Sequence, residues 1–302
     1  NIGHEISVTW NDRRGGFNYM VGVNASFNRN KVRQLGEEGA APLVYGINRT
    51  ENGKAMGLLY GYKAVGIFQS QEQVDEYNAK AQAMGRNYYW KEKTGVGDLI
   101  YDDCGKGYVD ESCQTYIGNP WPKMFYGINL KLEYKGFDLA LLFQGATGFD
   151  IYNGVKRYTQ NFGDDGNTTK DIFKNSFFGE NGLTDMPRCG TFDEENQWVG
   201  DPSQNYSTVS SFWVESGNYL KLKNLVFGYS LPKNLLKKAS IENVRVYFSA
   251  SNLFTITKYS GIDPEIAGTS NSGSQSVLER GVDRYDRYLP SRLISFGIDL
   301  TF

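Results

Sequence analysis

Leu293-Ile294-Ser295-Phe296-Gly297-Ile298-Asp299-Leu300-Thr301-Phe302 closes the chain in strict alternation. Ile294, Phe296, Ile298, Leu300 and Phe302 share one face, and Ser295, Gly297, Asp299 and Thr301 share the other. A period of two marks an extended strand whose faces meet different surroundings. Working outward, the pattern recurs: Val244, Val246, Phe248 and Ala250 oppose Arg245, Tyr247, Ser249 and Ser251. Tyr126, Ile128, Leu130, Leu132 and Tyr134 oppose Gly127, Asn129, Lys131 and Glu133, while Phe137, Leu139, Leu141 and Phe143 oppose Asp138, Ala140 and Gln144, with Leu142 out of phase. Near the start, Phe17, Tyr19, Val21, Val23, Ala25 and Phe27 oppose Asn18, Gly22, Asn24, Ser26 and Asn28, and Ile6, Val8 and Trp10 oppose Glu5, Ser7, Thr9 and Asn11. Tyr219–Leu231 is also strand-like but changes phase around Lys221, Leu222 and Lys223.

Alternation alone describes a soluble antiparallel sheet with one wet face equally well. Three features separate the cases. The strands run to about 10–12 residues, as a tilted bilayer-crossing strand must, against about 5–6 in soluble sheets. Aromatic residues mark strand ends: Trp10, Phe17, Tyr126, Tyr134, Phe137 and Phe302, as in interfacial girdles. Connections alternate between tight turns (11–16 and Lys135-Gly136) and long polar excursions (149–217 and 260–290). Short turns on one side and long loops on the other describe an outer-membrane barrel, whose sheet must close because lipid offers the backbone no hydrogen bonds. The expected fold is therefore all-β, an antiparallel transmembrane β-barrel segment with long extracellular loops. Strands are expected at 4–11, 17–28, 124–134, 137–147, 219–231, 242–257 and 291–302. Residues 31–120 then add none, with 58–69 a hairpin or lid element and Gln71–Met84 a short surface helix. Seven strands do not complete a barrel of the usual even-stranded kind, so the piece needs the rest of its barrel.

Composition excludes other classes. The net charge of −2, from 32 Lys+Arg against 34 Asp+Glu, argues against a nucleic-acid surface. With 35 Gly, 21 Tyr and 18 Phe beside one His, the chain reads as turn-rich β structure with little scope for imidazole chemistry. His4 stands at a strand rim, and no catalytic residue is assigned. Asp102, Asp103, Asp110 and Glu111, like Asp193-Glu194-Glu195, read as solvated loop charge rather than a glycosidase pair. Gly105-Lys106-Gly107 lacks phosphate-loop spacing. No enzyme activity and no cofactor are expected. No apolar run is long enough for a spanning helix. Asn1-Ile2-Gly3-His4-Glu5-Ile6 has no signal-peptide character, so the chain reads as a fragment or a processed product. Cys104, Cys113 and Cys189 are too few for a disulfide scaffold and lack zinc spacing.

Several stretches resemble the SusC/RagA type of TonB-dependent outer-membrane transporter: Gly61-Tyr62-Lys63-Ala64-Val65-Gly66-Ile67-Phe68-Gln69-Ser70, Ile117-Gly118-Asn119-Pro120-Trp121-Pro122-Lys123 with Tyr126-Gly127, and Phe227-Gly228-Tyr229-Ser230-Leu231-Pro232. Ser249 to Tyr259 and Gly261-Ile262-Asp263-Pro264-Glu265 resemble two more. The resemblance implies a barrel of about 22 strands with an N-terminal plug in a bacterial outer membrane. It implies import of oligosaccharides or peptides, a SusD-like lipoprotein as lid, and TonB as energy source. Residues 1–302 would be the C-terminal part of that barrel, about its last seven strands, with plug and N-terminal strands outside this sequence. The alternative is a soluble all-β carbohydrate-binding module, which would need no detergent. Ligand-stacking candidates are Tyr158, Phe162, Trp198 and Trp213, drawn from a pool that also holds Phe192, Tyr206 and Phe212. The resemblance further implies a calcium loop of EF-hand type before Ile117-Gly118. Aligned to it, Asp102 takes position 1, Cys104 position 3, Lys106 position 5, Gly107 position 6, Asp110 position 9 and Cys113 position 12. Thiols at 3 and 12 and an ammonium at 5 are wrong for calcium, so no metal is expected. A Cys104–Cys113 disulfide is expected instead, with Cys189 unpaired.

Overall fold

A computed structural model of the chain describes residues 1–161, 168–177, 185–236, 241–265, 278–284 and 289–302. Seven strands make one antiparallel sheet in chain order: β1 (Ile2–Arg14), β2 (Phe17–Arg29), β3 (Met124–Tyr134), β4 (Phe137–Thr147), β5 (Tyr219–Ser230), β6 (Asn243–Thr257) and β7 (Leu293–Thr301). The all-β antiparallel expectation holds, and residues 31–120 add no strand to this sheet. The first turn is tighter than expected, because pairing extends through Arg14↔Phe17. Gly15 and Gly16, like Lys135 and Gly136, take positive φ, the geometry a two-residue hairpin needs to match strand twist.

Register turns the alternation of each strand into two continuous faces. Trp10, Val21, Leu130, Leu141, Leu225, Ala250 and Ile294 pair across all seven strands in one row. Tyr19, Leu132, Leu139, Phe227, Phe248 and Phe296 form the next row on that face. The opposite face carries Met20, Lys131, Ala140, Val226, Ser249 and Ser295 in one row. There Arg245 donates to both Asp138 oxygens at 2.9 and 2.7 Å and to Asp299 at 3.1 Å. Apolar side chains remain exposed over much of the first face, including Val8, Trp10, Phe227, Val246, Phe296 and Ile298. The phase change in β5 is a bulge: pairing with β4 skips Lys223, and pairing with β6 skips Lys223 against Asn252 and Leu253. Asn252 takes φ 52° to make room, a conformation Asn tolerates better than most residues. The bulge lets Lys221 and Lys223 both reach Glu265, at 2.8 and 2.9 Å.

All three long connections (β2–β3, β4–β5 and β6–β7) leave from one end of the sheet, and their described residues carry further secondary structure. Leu43–Tyr45, Asn48–Thr50, Leu58–Gly61 and Thr115–Gly118 form a four-stranded sheet, and Ala64–Ile67 pairs with Leu99–Tyr101. Residues 58–69 are therefore not a hairpin. Their two strands turn to different partners because Tyr62 and Lys63 between them bond elsewhere, Tyr62 N–H to Val209 and Lys63 C=O to Asp102 N–H. The expected helix is α1 (Gln71–Ala83), with Ser70 Oγ accepting from Gln73 N–H at 3.4 Å. It is not wholly a surface element, since Val74 and Ala81 are buried in a cluster with Phe68, Tyr89 and Tyr101. Nearby, Cys104 and Cys113 are joined by a disulfide with Cα atoms 5.4 Å apart. Lys106 Nζ lies 3.2 Å from Asp110 Oδ1 in that loop. Cys189 stays a thiol, buried, with its Sγ 3.2 Å from the Tyr206 hydroxyl. A second cluster gathers Leu59, Tyr152, Ile172, Tyr206, Trp213 and Val282. Between the clusters a buried ion pair joins Arg188 to Asp98 at 2.6 and 2.7 Å, and Asn205 Nδ2 donates to the same carboxylate at 2.8 Å, which meets the hydrogen-bonding needs that make a buried charge tolerable.

Candidate ligand cleft

The chain leaves β4 through Gly148 and forms a short strand, Asp150–Asn153, flanked by Val214–Ser216 and Val282–Asp283. Asn153 ends that strand and caps α2 (Gly154–Thr159), its Oδ1 accepting from Lys156 N–H at 2.8 Å. Gly154 is required here, because a Cβ would fall 2.4 Å from the Asp283 carbonyl oxygen. This turn presents Arg157 and Tyr158 to a cleft of about 330 Å³, which Ile47, Tyr152, Glu279 and Arg284 also line.

The opposite wall, 278–284, is held from outside the cleft. Asn48 Nδ2 donates to the Gly57 and Arg280 carbonyls at 2.8 and 2.9 Å. The Arg280 guanidinium lies 4.1 Å from the centre of the Trp121 ring, whose N–H donates to Met56 at 2.6 Å. Tyr152 N–H bonds Gly281 at 2.7 Å.

Charges in the cleft are matched. Arg284 pairs with Glu279 through Oε1, and Asp283 accepts from the Tyr259 hydroxyl at 2.5 Å. Arg157 donates through Nε to the Tyr206 carbonyl and through Nη2 to that of Ser207, at 2.9 Å for the latter. Burial raises the Tyr152 phenol above its ordinary value, and the neighbouring Arg157 charge acts in the other direction. Among the described residues, the buried Glu279 Oε2 has no hydrogen-bond partner. The arrangement offers hydrogen bonding and one aromatic face rather than a nucleophile with its base. Among the described residues no cluster of His, Cys, Asp and Glu could hold a metal ion.

The sequence candidates separate. Tyr158 lines the cleft and is 46% exposed as a residue. Trp198 lies in the hairpin Gly190–Phe192/Trp198–Gly200, edge-on to Phe192 at 5.3 Å and 50% exposed. Trp213 is corrected: it is 0% exposed, packed against Tyr206 and Phe212 at 5.3 and 4.9 Å, and has no free face for a ligand. Tyr206 belongs to the same core, although its edge reaches the cleft. Phe162 lies outside the described residues. Sequence reasoning misses Glu279, Arg284, Arg157 and Tyr152. Only Arg157, beside Tyr158, carries a local hint; Glu279 and Arg284 join the site through the fold.

No family model matches the chain. TonB-dependent receptor P3 of Formosa agariphila is 31% identical over 313 residues, covering 100% of this chain and 28% of that protein. TonB-dependent receptor SusC of Bacteroides thetaiotaomicron is 24% identical over 256 residues, covering 83% of this chain and 22% of its own length. Among solved structures, the RagAB peptide transporter matches with a TM-score of 0.70 at 22% identity, over 99% of this chain and 28% of that one. The RagAB peptide importer in its open-open state matches with a TM-score of 0.68, also at 22% identity and over 99% and 28% of the two chains. The chain thus spans under a third of each of these proteins. All are named as receptors, transporters or importers, none as an enzyme.

Proposed function

The chain is similar along its whole length to SusC/RagA-type TonB-dependent receptors, and from that premise we propose that it forms the C-terminal wall and outer loops of an outer-membrane nutrient importer. The apolar face of β1–β7 meets lipid, the polar face lines the lumen, and the folded connections stand outside the cell. Plug and N-terminal strands come from sequence beyond residues 1–302. The imported solute is an oligosaccharide or a peptide, a SusD-like lipoprotein closes over the loops, and TonB supplies energy through the plug.

The observation that carries this reading is the sheet. One apolar row runs unbroken across all seven strands and a second across six, and Val8, Trp10, Phe227, Val246, Ile294, Phe296 and Ile298 stand exposed on that face, a contiguous apolar patch of the kind a soluble monomer rarely leaves open. Among the described residues β1 and β7 each pair on one side only, and lipid tolerates no open sheet edge. The soluble binding module has no comparable support. Membrane fractionation of cells expressing the whole receptor is the test: it should enter the outer membrane, need detergent for extraction, and support solute uptake that stops when TonB is removed. Recovery in the soluble fraction would overturn the reading.

A further inference from the structure

We propose that Arg29, Lys31 and Arg33, at the outer end of β2, bind the phosphate groups of lipid headgroups on the outer side of the membrane. The inference deepens the importer reading and rests on it for which face of the sheet meets lipid.

The apolar column of β2 ends in cations. Phe17, Tyr19, Val21, Val23, Ala25 and Phe27 share one face, and the same parity continues through Arg29, Lys31 and Arg33. Hydrogen bonds carry the alternation past the end of the strand. Val32 N–H donates to the Lys54 carbonyl at 2.8 Å, its own carbonyl accepts from Gly53 N–H at 2.9 Å, and Asn30 Oδ1 accepts from Met56 N–H at 2.7 Å. Asn30 and Val32 are thereby held half-buried against the folded connection. Arg29, Lys31 and Arg33 alternate with them and are exposed.

Height decides what these cations meet. From Phe17 to Phe27 the strand advances about 33 Å at ~3.3 Å per residue. A tilt of ~40° turns that into about 25 Å, the thickness of a barrel's apolar band. Arg29 is the next residue on that face, so it and its two followers stand where hydrocarbon gives way to headgroups. β6 and β7 repeat the arrangement: Ile256 is followed two residues on by Lys258, and Ile294 is preceded by Arg292, both cations exposed.

The partner is absent from the chain itself. Among the described residues the side chains of Arg29, Lys31 and Arg33 enter no ion pair and no hydrogen bond. In the folded connections, by contrast, Lys80, Lys156 and Arg188 each have a carboxylate, and at the inner end of the same face Arg14 lies 3.3 Å from Asp12. Cations two residues apart on an extended chain are about 6.6 Å from one another, well inside the screening length. They repel, and an anion seated among them removes the repulsion. Direction then selects that anion. The three side chains share the side on which β2 presents Phe27, so their partner lies beside the barrel rather than in the lumen or above the loops. The anion found there is a lipid phosphate, which the guanidinium fork of arginine grips through paired hydrogen bonds.

The whole receptor, purified in a neutral detergent, is titrated with lipid A bearing its phosphates and with the same lipid dephosphorylated, and bound lipid is read by native mass spectrometry. The phosphorylated form should bind at least about tenfold more tightly. Arg29→Gln, Lys31→Gln and Arg33→Gln should each weaken it about fivefold, the worth of one cation at an anionic surface. The triple variant should lose it by about a hundredfold, while Arg29→Lys with Arg33→Lys keeps most of it. Thermal unfolding without lipid should not change in any of them, because these side chains bond nothing among the described residues. The proposal is overturned if both lipids bind alike, if the triple variant binds as the parent does, or if millimolar inorganic phosphate displaces the lipid, which marks a site for a soluble anion. It is also overturned if the triple variant keeps the lipid and loses a co-purifying lipoprotein, which marks a protein-docking surface. Uptake assays separate the two readings. Lipid binding that depends on the three cations, without TonB-dependent uptake, defeats the importer and leaves the site. Uptake by a receptor that does not distinguish the two lipids defeats the site and leaves the importer.

Discussion

Trp213 and Trp198 show how far apart two tryptophans of one connection can stand. Trp213 is enclosed by Tyr206, Phe212 and its neighbours, and its N–H donates to the Asn205 carbonyl at 3.3 Å. Trp213→Ala leaves a large cavity and an orphaned carbonyl, so it should cost about 3–5 kcal/mol of loop-domain stability. Trp198→Ala removes a half-exposed ring and should cost under about 1 kcal/mol. Hydrogen exchange at Asn205 and its neighbours, or limited proteolysis of the loops, measures the difference; equal protection in both variants would contradict the core assignment. The two are indistinguishable in sequence because neither sits in a periodic segment, and burial in an irregular loop depends on distant partners. The cysteines present a related case. The Cys104–Cys113 link closes a short loop, and in the chain-entropy account it contributes at most about 3 kcal/mol. A non-reducing peptide map should recover both cysteines in one linked fragment and Cys189 as a thiol; two thiols at 104 and 113 would remove the clasp. What points to the pair in sequence is their position in a resembling loop. Their spacing alone says nothing.

At the scale of elements, the folded connections are tied to one another by carboxylates, and those ties have a pH dependence. Glu215, on Val214–Ser216, accepts from Ser260 N–H and Oγ at 2.8 Å each and from Lys156 Nζ at 3.2 Å. Burial acts to raise its pKa, but these donors prevail and hold it below the ordinary 4.5. Glu265, also buried in part, is lowered in the same way by Lys221 and Lys223. A depressed folded-state value means that the stabilisation is complete above the unfolded value and is lost as pH falls through the folded one. The segment 258–265 should therefore hold unchanged from pH 7 to about 5 and loosen only below about 4.5. Hydrogen exchange at the Ser260 amide, corrected for its intrinsic pH dependence, reports this directly, and Glu215→Gln should flatten the acid transition; loosening that begins near pH 6 would implicate another group. Elements of this kind are only partly legible in sequence. Helix α1 is, because Ser70 caps a run of helix formers. The strands within 31–120 are not, since three or four residues are too few to show a period, and 58–69 reads as one hairpin until Val209 and Asp102 arrive from elsewhere in the chain.

For the whole molecule, the seven-stranded sheet is legible almost strand for strand, and the reason is physical. Each strand separates two unlike environments over its full length, so a one-residue slip would exchange every side chain and the pattern must be kept throughout. The one ambiguous stretch, around Lys221–Lys223, is where the bulge breaks the period. What the pattern does not tell is which environment the apolar face meets, since a soluble core and a bilayer both select Leu, Val and Phe. Substitution can. Leu139, Leu141, Val246 and Ile298 share the apolar face, with Leu141 in the row that runs from Trp10 to Ile294. If that face lies in lipid, Arg near the bilayer midplane should cost about 2–4 kcal/mol and nearly nothing close to the interfaces. The cost should then grade with position along the strand. Arg at Gln144, Ser249 or Ser295, on the polar face, should be tolerated in a watery lumen. A face packed on protein behaves differently: every Arg on it would be costly regardless of height, because a close-packed core has no interface for the charge to reach. Urea unfolding of the whole receptor in lipid vesicles, one Arg at a time, measures the profile. A cost that peaks at mid-strand and vanishes at the ends places lipid against this face, whereas a flat, uniformly high cost on both faces places protein there and removes the membrane from the account.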